Sequence, residues 1–147
     1  MKLSTKTRYG TMALLDMALN AGGNSPITLK DIARRQELPP SYLAHLMNPL
    51  ISAGIVTSVR GVNGGVVLAK HAREINLKEV VEALEGPIVL SECVSNAEKC
   101  SRSNTCATQE LWSNVENAIN SVLLSTTLQD LVEIQANKAS VGTTYFI

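Results

Sequence analysis

The chain of 147 residues predicts a mainly α-helical fold with one small β-hairpin, and three observations carry that expectation. Two short helical stretches meet at the tight turn Glu37-Leu38-Pro39, the outline of a helix-turn-helix. Two apolar runs, Ile55–Val59 and Val66–Leu68, flank Arg60-Gly61-Val62-Asn63-Gly64-Gly65, which reads as a hairpin and, after a helix-turn-helix, as a wing. Near the C-terminus, Trp112, Val115, Ile119 and Val122 recur at spacings of three, four and three, a short heptad seam on a long helix. The fold class is therefore a winged helix-turn-helix head followed by a long C-terminal dimerisation helix. The low aromatic content, 3%, suits aliphatic helix packing.

The elements follow in order. A first helix is expected over residues 5–20, capped by Ser4, with Met12, Leu15 and Leu19 on one face. Residues 21–26, Ala-Gly-Gly-Asn-Ser-Pro, form a loop by composition. A second helix starts at Thr28, with Asp31 at the capping-box position and Ile27 and Ile32 placed as a hydrophobic staple, and it ends near Gln36. Pro40 opens a third helix that Gly54 can terminate, with Leu43, Leu46 and Leu50 on its core side and a bend expected at Pro49. A fourth helix, Leu77 to Glu85, has Asn76 as cap, Glu79 at the box position, and Gly86-Pro87 as its stop.

Three cysteines follow within fourteen residues, Cys93, Cys100 and Cys106, spaced C-x6-C-x5-C. The long helix then runs from Cys106 to about Leu124. A short apolar helix around Leu128, Leu131 and Ile134 comes last, and the tail from Ala136 is expected to be loose. The expected organisation is 1–86 for the winged head, 87–105 for the cysteine-containing loop, 106–135 for the dimerisation helix with the short last helix, and 136–147 for a flexible tail.

Net charge is zero, yet it is unevenly spread. Residues 1–73 hold nine Lys and Arg against three Asp and Glu, whereas residues 74–147 hold four against ten. A basic head on an acidic body is a footprint for nucleic acid at one end. The N-terminus runs directly into an amphipathic segment carrying Asp16, and no apolar run is long enough to span a bilayer. A cytoplasmic protein without membrane association is expected, in a compartment where thiols stay reduced.

In helix-turn-helix folds the N-terminal part of the second helix faces base edges in the major groove. That places Ser41, Tyr42 and His45 on the reading side, as groups able to hydrogen-bond bases or phosphates. Arg60 at the wing tip is the natural minor-groove or backbone contact. Lys6, Arg8 and Tyr9 on the first helix are placed to meet phosphates.

Three thiols supply all but one ligand of a four-coordinate zinc site or an iron–sulfur cluster. The short knuckle usual for zinc is absent, which favours a labile cluster or a redox thiol. Cys106 stands at a helix N-terminus, where the dipole favours thiolate. Gln109, Glu92, Glu110, a residue of a partner chain or a small molecule are the open choices for a fourth ligand, since the two histidines, His45 and His71, belong to the head. The Trp112–Val122 seam needs a cover, and a second copy of the chain is the simplest one, placing two heads on a palindromic site. No acid–base or nucleophile–base pair is evident, so an enzyme is not expected.

The stretches KLSTKTRYG, ITLKDIARRQ, PSYLAHL, AGIVTSVRGVNGG and EALEGP, then the three cysteines, ELW and TTLQDLV, appear in an order that resembles the Rrf2 family of winged-helix transcription regulators over about residues 1–134. The iron–sulfur cluster regulator branch, the IscR type, is the most similar. The resemblance implies a homodimer with intertwined long helices and a cluster, [2Fe–2S] favoured and [4Fe–4S] the alternative, held by Cys93, Cys100 and Cys106. It also puts Ser41, Tyr42, His45, Arg60 and Gly61 at DNA-contacting positions. Three positions depart from the pattern. Gln109 stands where the IscR type has a histidine ligand. Arg8 stands where the nitric-oxide-sensing branch draws an aspartate, and Ala44 where an acidic residue often follows SYL.

The function implied is a dimeric repressor-type transcription regulator sensing iron–sulfur status and controlling cluster assembly or related genes. Two other readings stand beside it: a cluster-free regulator governed by thiol redox or cysteine metabolism through a partner, and a winged-helix module that binds protein.

Overall fold

The computed structural model describes residues 3–21 and 25–143. Helix α1 (Thr5–Asn20) starts where expected, with the Ser4 hydroxyl accepting the Thr7 N–H at 3.3 Å. Its buried face is Gly10, Ala13, Leu14 and Met17, together with Thr7 and Asp16. That is not the face expected from sequence: Met12 and Leu19 are exposed and Leu15 is half-buried. The helix carries apolar side chains on two adjacent stripes, and the stripe with the small residues is the one that admits close neighbours. A Cβ at Gly10 would run into the Leu84 side chain, so the glycine sets how near α1 lies to the fourth helix.

Helix α2 (Leu29–Arg35) is capped by Thr28, whose hydroxyl accepts the Asp31 N–H at 3.1 Å. Asp31 closes back on that hydroxyl, accepting from it at 2.7 Å. Ile32 is buried, with Ile27 packed against the same core. The chain then reverses through Glu37, whose φ of 53° lies in the left-handed region, and the Leu38 N–H returns to the Ala33 carbonyl at 2.9 Å. Helix α3 (Pro40–Ser52) has Pro40 in its first turn and continues through Pro49. Gly54, at φ 71°, ends it in a Schellman arrangement: Gly54 N–H to Ile51 carbonyl and Ile55 N–H to Leu50 carbonyl, both at 3.0 Å. Leu43, Leu46 and Leu50 are buried, as their spacing requires.

Strands β1 (Val56–Val59) and β2 (Gly65–Leu68) pair antiparallel, Val56 opposite Leu68 and Val59 opposite Gly65. Ile27 bridges Val66 in both directions, so the segment before α2 adds a third extended piece to the hairpin. Gly65 is required there, because a Cβ would strike the Ile27 carbonyl. Helix α4 (Leu77–Glu85) has both halves of its capping box, Asn76 with Glu79, each bond at 3.0 Å. Gly86, at φ 87°, stops it.

The cysteine segment is built from short turns: a one-turn helix α5 (Glu92–Ser95) and two 3-10 turns at 97–99 and 103–105. Helix α6 (Ala107–Ser125) follows, with Cys106 at its cap position and none of its nineteen residues buried. The chain then comes back to the head. The Leu77 N–H donates to the Thr126 carbonyl at 2.9 Å and the Leu128 N–H to the Ile75 carbonyl at 2.8 Å.

Helix α7 (Leu128–Thr143) starts from that bridge, with Leu128 fully buried in the core of α1, α3 and α4 and Leu131 packed against it. It runs on past Ala136, where a loose tail was expected, because residues 136–141 hold no helix breaker even though their apolar periodicity fades. Residues 144–147 lie outside the described residues. Among the described residues, no helix is long and apolar enough to cross a membrane.

Candidate functional site

The N-terminal half of α3 is presented to solvent by the packing of its other face. With Leu43, Leu46, Met47 and Leu50 buried, Ser41 and His45 are exposed and Tyr42 is half-buried at the edge. Tyr42 is met by Tyr9 from α1: the rings stand edge to face, with centroids 6.2 Å apart and planes at 88°. The Arg8 guanidinium carbon lies 4.7 Å from the Tyr9 ring centroid, and Arg8 Nη2 donates to the Tyr9 hydroxyl at 2.9 Å. Three of the expected DNA-facing residues, Arg8, Tyr9 and Tyr42, thus form one connected surface. Lys6 is exposed on the same helix.

In the wing, Arg60 directly follows β1 and Gly61 opens the tip turn with φ 116°. The turn is closed by the Gly64 N–H on the Gly61 carbonyl at 3.0 Å. Arg60 is exposed, but it stands beside the end of β1 and not at the expected tip, which the Gly61–Gly64 turn forms with Val62 fully open to solvent.

Two linkages invisible in the sequence pattern hold this surface. Asp16, 4% exposed, accepts from Arg35 and from Gln36 Nε2 at the end of α2. Thr7, also buried, donates its hydroxyl to the Glu85 carboxylate at 2.8 Å, tying α1 to the last residue of α4. Neither pair has sequence spacing that would have marked it, since the partners sit nineteen and seventy-eight residues apart.

The three cysteines are free and each is half-buried. The Cys93 sulfur lies 3.0 Å from the Ser91 hydroxyl and the Cys106 sulfur 3.1 Å from the Thr108 hydroxyl. That contact, joined by the Gln109 and Thr108 backbone N–H groups at the start of α6 and the charge of Arg102, pulls the Cys106 thiol below its ordinary pKa. Gln109 sends its amide toward the Cys93 carbonyl, a long contact of 3.5 Å, and the Glu116 carboxylate accepts the Leu90 N–H at 2.9 Å. Both hold the cysteine segment along α6. Glu92 and Glu110 are exposed, Glu92 with Lys99 at 4.0 Å. Among the described residues, no three His, Cys, Asp or Glu side chains are gathered as a metal site.

On α6 the seam residues are left open: Trp112 is 46% and Val122 62% exposed, with Val115 and Ile119 half-buried. Ile119 and Val122 line an apolar groove of about 610 Å³ with Leu3, Val81, Ile88 and Leu123.

A helix-turn-helix with a two-stranded wing, an open recognition face and a long unburied helix defines the class as winged-helix DNA-binding regulators. The family model described as "Rrf2: Iron-dependent Transcriptional regulator" matches residues 3–134, and the chain belongs to the Rrf2 family. It is 40% identical over 131 residues to the HTH-type transcriptional regulator CymR of Bacillus subtilis, covering 89% of each protein. The solved structure of CymR, the global cysteine regulator of B. subtilis, superposes with a TM-score of 0.77 at 38% identity, covering 91% of this chain and 98% of that one. The structure of T. potens IscR superposes with a TM-score of 0.74 at 36% identity, covering 92% and 88%. This protein is accordingly a DNA-binding transcription regulator and not an enzyme.

Proposed function

We propose that this protein is a homodimer that binds a palindromic operator and senses iron–sulfur status through Cys93, Cys100 and Cys106. The observation that carries the sensing is the placement of three free thiols in a segment fastened along α6, with Cys106 biased toward thiolate. The donor chemistry fits an iron–sulfur cluster: soft, partly accessible sulfur ligands in the number such a site needs, short of one. Cys93, Cys100 and Cys106 would hold the cluster, with Gln109, Glu92 or Glu110 as the fourth donor. When bound, the cluster supplies a group that oxidants can remove.

The chain's own contribution is mechanical. The segment leaves α4 at Gly86 and enters α6 at Cys106, so ordering it constrains where α6 sits relative to the head. In a dimer joined through α6, that biases the spacing of the two α3 helices between two states. The open α6 seam, on a helix with no residue fully buried, supports the dimer. Ser41, Tyr42, His45, Arg60 and Gly61 would meet the operator, with Lys6 and Arg8 on its phosphates.

A second reading, cluster-free control by thiol oxidation or cysteine metabolism, draws support from the likeness to CymR and from thiols that are not gathered together. Anaerobic reconstitution with iron and sulfide separates the two. The cluster reading expects visible absorption, bound iron and sulfide, and operator affinities that differ between the loaded and metal-free forms. Equal affinities in the two forms would overturn it. Colourless, iron-free protein whose operator affinity still responds to a thiol oxidant selects the second reading.

A further inference from the structure

We infer that Tyr9 acts as a positioning residue for Tyr42, fixing the direction of the α3 side chain at the DNA face rather than contacting DNA itself. The inference rests on reading α3 as the DNA-facing helix. Tyr42 stands in the first turn of α3 at the boundary between the buried and exposed faces. No hydrogen bond of its hydroxyl is needed to place its ring, because the Tyr9 ring meets it edge to face.

Tyr9 is itself held by Arg8. Arg8 spreads over the Tyr9 ring face and donates to its hydroxyl, so the phenol oxygen already serves as an acceptor within the protein. Arg8 has further N–H groups left for a phosphate. One turn of α1 therefore divides its work, Arg8 bringing charge and Tyr9 bringing orientation. The turn is itself anchored from below by Thr7 on Glu85.

The test uses the full-length protein and two fluorescent duplexes: one selected by the wild type from a random-sequence pool, the other unrelated and of equal length. Affinity is measured across a salt series for wild type, Tyr9→Phe, Tyr9→Leu, Tyr42→Leu and the Tyr9→Leu/Tyr42→Leu double variant, with thermal unfolding alongside. Tyr9→Phe keeps the ring edge contact and should bind the selected duplex as the wild type does. Tyr9→Leu should weaken that duplex by about two- to tenfold, the value of one such ring pair. Binding to the unrelated duplex and the salt slope should stay unchanged. In the Tyr42→Leu background, Tyr9→Leu should cost nothing more.

Additive losses from Tyr9→Leu and Tyr42→Leu would overturn the inference. So would a Tyr9→Phe loss equal on both duplexes with the salt slope unchanged, the mark of a direct hydrogen bond from the uncharged hydroxyl to the DNA backbone. If Tyr9→Leu lowers the unfolding midpoint below the assay temperature, Tyr9→Met carries the same comparison. Wild-type protein that binds no duplex would instead overturn the reading of α3.

Discussion

Arg35 grips Asp16 with two nitrogens: Nε lies 2.9 and 3.1 Å from the carboxylate oxygens and Nη2 lies 2.6 Å from Oδ2. Gln36 Nε2 adds a third donor at 3.1 Å. The pair joins the end of α2 to the middle of α1, two residues before the left-handed turn at Glu37. The hydrogen bond to Asp16 raises the Arg35 pKa, with the charges of Asp16 and Asp31 adding to it and burial opposing it.

Asp16→Ala should therefore cost about 2–4 kcal/mol in urea unfolding, since it strands a guanidinium that is still about one-third exposed and so partly hydrated. Asp16→Asn, which keeps an acceptor oxygen, should cost less. A loss below about 0.5 kcal/mol for Asp16→Ala, the range of ordinary surface substitutions, would show that the pair contributes little.

Placing a charge on the α6 seam should separate the proposed dimer without unfolding the chain. Each Ile or Val returned to water forfeits about 1.5–3 kcal/mol, counted twice in a symmetric interface. Ile119→Glu with Val122→Glu should raise the dissociation constant by about ten-thousandfold or more. Sedimentation should report a monomer while circular dichroism keeps its helical signal.

Cys106 should be the first of the three thiols to react in metal-free, reduced protein. Its lowered pKa means that the rate of iodoacetamide alkylation, mapped by peptide mass, levels off at a lower pH than for an ordinary thiol. Thr108→Val removes the leading cause and should move that profile to higher pH. A profile unmoved by Thr108→Val would assign the shift to the α6 backbone instead.

The start of α7 should be acid-labile. Asp130 accepts the Thr127 N–H at 2.7 Å and its hydroxyl at 2.8 Å, which holds the carboxylate below its ordinary range. The folded pKa is the lower one, so the stabilisation is complete above the unfolded value of about 3.9 and is lost as pH falls through the folded value. Thermal midpoints of wild type and Asp130→Asn should differ at pH 6 and converge on acidification. Parallel curves down to about pH 2 would remove Asp130 from the account.

Much of this architecture was legible because it is locally determined. Ser4, Thr28 and Asn76 announce helix starts by accepting N–H groups three residues on, and Gly54 and Gly86 announce ends by positive φ. The Leu43, Leu46, Leu50 spacing has one consistent face. Helix α1 misled because it has two apolar stripes, and the close approach at Gly10 is made by Leu84, a residue seventy-four positions away. Helix α7 outran its expected end because propensity, not amphipathicity, carries its last turns. At the candidate site, residue types and spacing announced thiols and an open reading helix. The Asp16–Arg35 and Thr7–Glu85 contacts leave no periodic trace, and whether three sulfurs converge depends on a segment made of short turns.

The return of the chain at Thr126–Leu128 gives residues 87–125 the topology of a handle, attached to the head at both of its ends. Lys99 and Arg102 lie exposed on that handle, between halves that share one core. Cutting there with trypsin should not release the C-terminal piece, because Leu128 remains seated and the Ile75 and Thr126 carbonyls keep their donors. The nicked protein should elute as one species and come apart only in denaturant. Cuts after both would free only Cys100-Ser101-Arg102, leaving Cys93 on one piece and Cys106 on the other with the rest of the molecule still standing.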